Sequence, residues 1–244
     1  MSVTKRRRRT IEVTGPRRES LMNVERSTVA GDPSRVMQAA WIAIFAAFLV
    51  WSAIRPKDYP TWFVEVLPAV VGAGILWFTR RHYPLTSLAY VLILVHSIVL
   101  IVGGHYTYAE VPLFDWVRDA FAQERNNYDK LGHFLQGFVP AVIARELTIR
   151  NAVFSSAAWR NFFIVAACLG ISAFYELIEW VAALLSAEAA ESFLGTQGYV
   201  WDTQSDMAWA LSGAILALLV LGRLHDRQLK ARPWHKPVLS TAAR

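Results

Sequence analysis

Three pairs of polar residues stand at helical spacing in an otherwise apolar chain. Asp129 and His133 are spaced i, i+4 with Gln136 close by, Glu176 and Glu179 are spaced i, i+3, and Asp202 and Asp206 are spaced i, i+4. On helices, each pair shares one face. Carboxylate oxygens beside an imidazole suit a divalent cation such as Zn, Mn or Mg, with His133, Asp129, Glu176 and Glu179 as the metal candidates. Neighbouring carboxylates also separate one another's proton affinities, which prepares an acid/base pair or a proton relay. The competing expectation is structural: the same groups lock helices together through interhelical hydrogen bonds. Glu65 and His96 are marginal members of the set. An interfacial position explains the first, and a satisfied core histidine explains the second.

The segments that carry these residues are long and apolar. Of the 244 residues, 55% are hydrophobic and only 18% are charged, against about a quarter charged in a soluble domain. The apolar residues fall in blocks of bilayer-spanning length: about 36–54, 62–79, 85–103, 131–148, 161–185 and 205–222. The expected fold is therefore an all-α polytopic bundle of about six transmembrane helices (36–222). It is flanked by a disordered basic tail (1–35) and a second basic tail (223–244). The first 35 residues lack an apolar signal region, so the first span is expected to direct insertion itself. Twenty Lys and Arg lie in the tails and alternate connections, against five in the others. By the positive-inside rule both termini are cytoplasmic, and the polar pairs lie near the opposite, periplasmic face. An ionisable group inside a span is expensive unless paired or hydrated, which makes each of these residues a candidate for function.

Other features bound the chemistry. Pro140 in the fourth block is expected to kink that helix or free a carbonyl near Gln136. The run GTQGYVWDTQ carries turn glycines Gly195 and Gly198 and places Asp202 where it could cap the last span. Arg145-Glu146 reads first as interfacial snorkelling and second as a pairing of Arg145 with a neighbouring helix. The chain has no HExxH, no GxSxG, no P-loop and no GxGxxG, so the common zinc-protease, serine-hydrolase and nucleotide-driven mechanisms lack their residues. The single cysteine, Cys168, falls within an apolar block and reads as a packing residue. Membrane lipids are the expected partners: the KRRRR run at 5–9 suits anionic headgroups, and no folded feature supports a specific nucleic-acid partner.

The segments NNYDKLGHFLQGFVPAVIARE (126–146), FYELIEW (174–180) and GTQGYVWDTQSDMAWALSGA (195–214) together resemble the YjdF-like family of bacterial inner-membrane proteins, a domain of unknown function. The resemblance covers about residues 36–225 and implies an inner-membrane location, without assigning functional residues. A looser resemblance is to VanZ-like membrane proteins. There an Asp-x-x-x-His start of one span, an acidic position in the next and an Asp at the start of the following span recur, matched here by Asp129/His133, Glu176/Glu179 and Asp202/Asp206. The glycine-rich run before the last span departs from that pattern. This likeness implies an envelope role. The function expected is a site that binds or processes an envelope lipid or precursor, with a divalent metal ion as its cofactor. The alternatives are a transporter or proton-coupled channel, and a structural membrane assembly protein.

Overall fold

The computed structural model describes residues 35–185 and 199–231, and every regular element among them is helical. The helices are α1 (Arg35–Ala53), α2 (Tyr59–Thr79), α3 (Ser87–Tyr106), α4 (Pro112–Ala120), α5 (Tyr128–Arg150), α6 (Ala157–Leu185) and α7 (Asp202–Lys230), with a 3-10 turn at Tyr108–Glu110. Residues 1–34 of the tail expected at 1–35, the glycines Gly195 and Gly198, and residues 232–244 lie outside the described residues.

Local chemistry sets the helix starts. Asp58 accepts from Thr61 N–H at 2.7 Å and Pro60 occupies the first turn, which opens α2 before the apolar block begins. Thr86 caps α3 in the same way through Ala89 N–H. Asn126 anchors α5: its side chain donates to Val111 O and Asp115 and accepts from Tyr128 N–H. The connection between the third and fourth apolar blocks, 104–128, thus contains the short helix α4.

Five helices, α1, α2, α3, α6 and α7, are long and apolar enough to cross a membrane. Their outward surfaces are apolar: Phe78, Phe174 and Leu219 are among many large exposed hydrophobics. Polar residues lie inside, the reverse of a soluble protein, as expected where lipid is the solvent. The remaining expected span is α5. It has the length, 23 residues, but carries Asp129, Lys130, Arg145, Glu146 and Arg150. It is the inner helix, packed against α3, α6 and α7, and Gly132, Leu135, Gly137, Val139, Ala141 and Val142 on it are buried. Its polar groups therefore face protein rather than lipid, which is why it lacks the hydropathy of its neighbours. Pro140 lies inside α5, which runs on as a single helix to Arg150.

The approach of α5 to α7 depends on glycine. A Cβ on Gly137 would run into the Ala210 carbonyl, and one on Gly213 into the Phe134 carbonyl, so the two backbones touch as small-residue membrane interfaces do. An apolar layer of Ala141, Val142, Ile164, Cys168, Ala214 and Ala217 joins α5, α6 and α7 at mid-length. A second layer, Phe45, Val66, Ala69 and Ile101, ties α1 and α2 to α3. The last helix continues past Gly222, where the sequence placed the start of a tail, to Lys230. His225 and Leu229 on this extension are buried.

Candidate functional site: a buried carboxylate–histidine pocket

The first turns of α5 and α7, the second half of α6, the first half of α2 and the middle of α3 converge on a cavity of about 250 Å³. His133 stands at its centre and is 5% exposed. Its Nε2 is 3.3 Å from Asp129 Oδ1, and its Nδ1 is 3.0 Å from Gln136 Oε1 and 3.7 Å from Glu176 Oε1. Ligand atoms of Asp129, His133 and Asp206 all lie within 4.8 Å of one another, and the same holds for His133, Glu176 and Glu179. These two triads share the imidazole, and either could hold a divalent cation. Glu176 and Asp206 are 8% and 3% exposed, yet Glu176 Oε1 and Asp206 Oδ1 have no hydrogen-bond partner among the described residues. A buried polar atom without a partner is uncommon in a folded protein and calls for an explanation.

Of the seven residues singled out in the sequence, Asp129, His133, Gln136, Glu179 and Asp202 line the cavity, and Glu176 and Asp206 join it through His133. Asp202 does not cap the last span. Trp201, not Asp202, occupies the cap position of α7 and makes no side-chain cap bond, while Asp202 pairs with Arg125 at 2.9 Å. Glu65 is buried at the cavity wall rather than sitting in the membrane interface, and it accepts from Tyr175 Oη at 3.2 Å. His96 also lines the cavity, and its Nε2 has no partner among the described residues, unlike a satisfied core histidine.

Two residues of the pocket escaped the sequence reading. Tyr175 stands beside Glu176 and presents its ring edge-on to His133, with centroids 6.3 Å apart. Tyr108 lies over Gly132, and its ring fills the space that a side chain on Gly103 would need. It is turned inward by Thr107, whose φ of 54° is a costly backbone for a β-branched residue. Small residues at Gly103 and Gly132 were the available signal for a bulky ring seated over them.

The chain matches the family described as "Predicted membrane protein (DUF2238)" over residues 37–227. It belongs to this family. A curated relative, "Inner membrane protein YjdF" of Escherichia coli (strain K12), is 48% identical over 182 residues, covering 75% of this chain and 87% of the relative. No solved structure matches. With five helices of membrane-spanning character, this DUF2238 member is a multi-pass inner-membrane protein. These findings concern the YjdF-like resemblance and do not bear on the VanZ-like one.

The DUF2238 match also spans a second polar cluster, at the opposite end of the bundle. From His133 to Glu146 along α5 is about 20 Å at 1.5 Å per residue. Glu146 is 0% exposed. It accepts from Thr86 N–H at 3.0 and 3.1 Å, from Thr86 Oγ1 at 2.7 Å and from Arg150 at 3.0 Å. His225 Nε2 lies 3.2 Å from Glu146 Oε2, and Arg145 reaches His225 Nδ1 at 3.2 Å and Asp226 at 2.7 Å. Arg150 also donates to Pro84 O and stacks on Tyr83. Arg145-Glu146 is therefore a buried network joining α3, α5 and α7. Snorkelling is ruled out by this burial, and the pairing of Arg145 with a neighbouring helix is what is found. His225 went unnoticed in the sequence because it follows the last apolar block.

Proposed function

We propose that this protein binds the polar headgroup of an envelope lipid or lipid-linked precursor in the His133 pocket, from the periplasmic leaflet, and processes it there. The observation that carries this reading is a cavity that brings Asp129, His133, Tyr175, Glu179 and Glu65 together at one end of a membrane bundle. About 250 Å³ is less than the roughly 300–1,000 Å³ of sites that enclose a whole small molecule. It suits a headgroup whose tails stay in the bilayer. Helix α4 supports the same reading. Leu113 and Trp116 are exposed on one of its faces, while Phe114 packs on Tyr128, the residue before Asp129. A short amphipathic helix with an unpartnered Leu/Trp face lies naturally in the headgroup boundary, here next to the cavity wall.

The six-span count with both termini cytoplasmic belongs to this proposal, with α5 as the sixth span. A proton-coupled channel is the weaker reading. It needs polar groups at successive depths, and the layer Ala141, Val142, Ile164, Cys168, Ala214 and Ala217 separates the two polar ends. The test is native mass spectrometry of the detergent-purified protein with total lipid extract of its host membrane. One lipid class should be enriched several-fold over its bulk share and lost in Tyr175→Ala. Bulk composition in both proteins would refute the headgroup reading.

A further inference from the structure

We infer that the pocket holds one divalent cation on His133 Nε2, Asp129 and Asp206, with Gln136 fixing the imidazole. Of the two overlapping triads, the hydrogen bonding singles out this one. In the tautomer with the proton on Nδ1, Gln136 Oε1 at 3.0 Å accepts from it, and the Nε2 lone pair is directed at the Asp129 carboxylate 3.3 Å away. A lone pair facing a carboxylate oxygen is repulsive unless a second ring proton or a metal cation lies between them, and the cation also serves Asp206. The second pointer is Asp206, nearly fully buried, whose Oδ1 has no hydrogen-bond partner among the described residues although it is within ligand range of the other two. An uncompensated buried carboxylate is costly in a membrane interior, and a divalent ion offsets that cost.

The spacing is close to what an ion requires. Ligands about 2.1 Å from a metal are at most about 4.2 Å apart, so a triad within 4.8 Å closes on an ion by small side-chain shifts. One imidazole with two carboxylates favours Mn or Zn over Ca, which takes oxygen ligands alone. The Nδ1–H to Gln136 bond is the outer hydrogen bond that metal-bound histidines commonly make, setting the tautomer and ring orientation. The arrangement deepens the headgroup reading, on which its function rests. A pocket walled by carboxylates repels phosphate, whereas a bound dication gives a phosphate-bearing headgroup something to ligate.

The test uses the full-length protein in detergent, stripped with EDTA and dialysed, and titrated with MnCl₂ while free Mn²⁺ is followed by electron paramagnetic resonance, with ZnCl₂ as competitor. The expected result is about one ion per chain and a raised melting temperature. Asp206→Asn and His133→Gln should weaken binding at least tenfold, and Gln136→Leu, which removes no ligand, roughly tenfold. Glu110→Gln, on an exposed ion pair with Lys57, serves as the unchanged control. Should the ligand variants fail to fold, the wild-type titration and Gln136→Leu still decide. Wild-type protein that takes up no Mn²⁺ or Zn²⁺, or a Gln136→Leu protein that binds as tightly as wild type, overturns the inference. Metal-free protein that still enriches one lipid class would overturn the cation site and leave the headgroup reading standing. Stoichiometric metal without lipid enrichment would do the reverse.

Discussion

At the scale of single residues, what matters is whether a buried polar atom finds its partner. Glu146 has every lone-pair direction used: Thr86 twice, Arg150, and His225, which is itself braced by Arg145. Removing one member of such a buried charged network leaves the others unpaired and costs about 3–5 kcal/mol. Glu146→Ala is accordingly expected to lower the melting temperature sharply and to cut the yield of monodisperse protein on gel filtration. A melt within a degree or two of wild type would show that the network is not what holds α3, α5 and α7 together. The sequence offered a pairing of Arg145 with a neighbouring helix but did not name the partners. Thr86 and Glu146 are 60 positions apart, and helical spacing reports only which residues share a face of one helix. The outer residues were legible because each pair is local to its own helix, while Tyr108 and Tyr175 were not, since a tyrosine in or near a span reads first as an interfacial anchor.

At the scale of elements, the helices were legible almost throughout, because bilayer-spanning apolar blocks end at charge, proline and glycine. Their ends were less so: α7 reaches Lys230, since a helix can continue into water on the strength of buried His225 and Leu229, and hydropathy sees neither. The least apolar of the expected spans is α5, polar in sequence because it packs against α3, α6 and α7. Its position requires Gly137 and Gly213. Gly137→Val is expected to force α5 and α7 apart, costing at least the roughly 1–3 kcal/mol of overpacking, and to abolish folded protein by fluorescence-detected gel filtration. Gly170→Ala on α6, where an added Cβ meets nothing within 4 Å, should be neutral or gain up to about 1 kcal/mol of helix propensity. Equal losses in both variants would mean that helix flexibility, not close approach, is the reason for Gly137.

At the scale of the whole molecule, the polar interior is divided between two ends with an apolar layer between them. In the orientation proposed from the charge asymmetry, the His133 pocket faces outward. A reporter fused after Arg125 should therefore be active only in a periplasmic format, and cytoplasmic activity there would invert the orientation and the headgroup reading with it. At the other end the Glu146 carboxylate is fully hydrogen-bonded, and such pairing stabilises the bundle. The end around His133 contains buried carboxylate oxygens with no hydrogen-bond partner among the described residues, and on the proposed reading these are retained for what they bind, at a cost in stability. The most direct test of that division is the melting temperature of the metal-stripped Glu176→Gln/Asp206→Asn protein, in which neutral amides of nearly the same shape replace two buried carboxylates. The account predicts a melt equal to or above that of metal-stripped wild type. A large drop, comparable to that of Glu146→Ala, would contradict it and make the outer cluster a second structural lock.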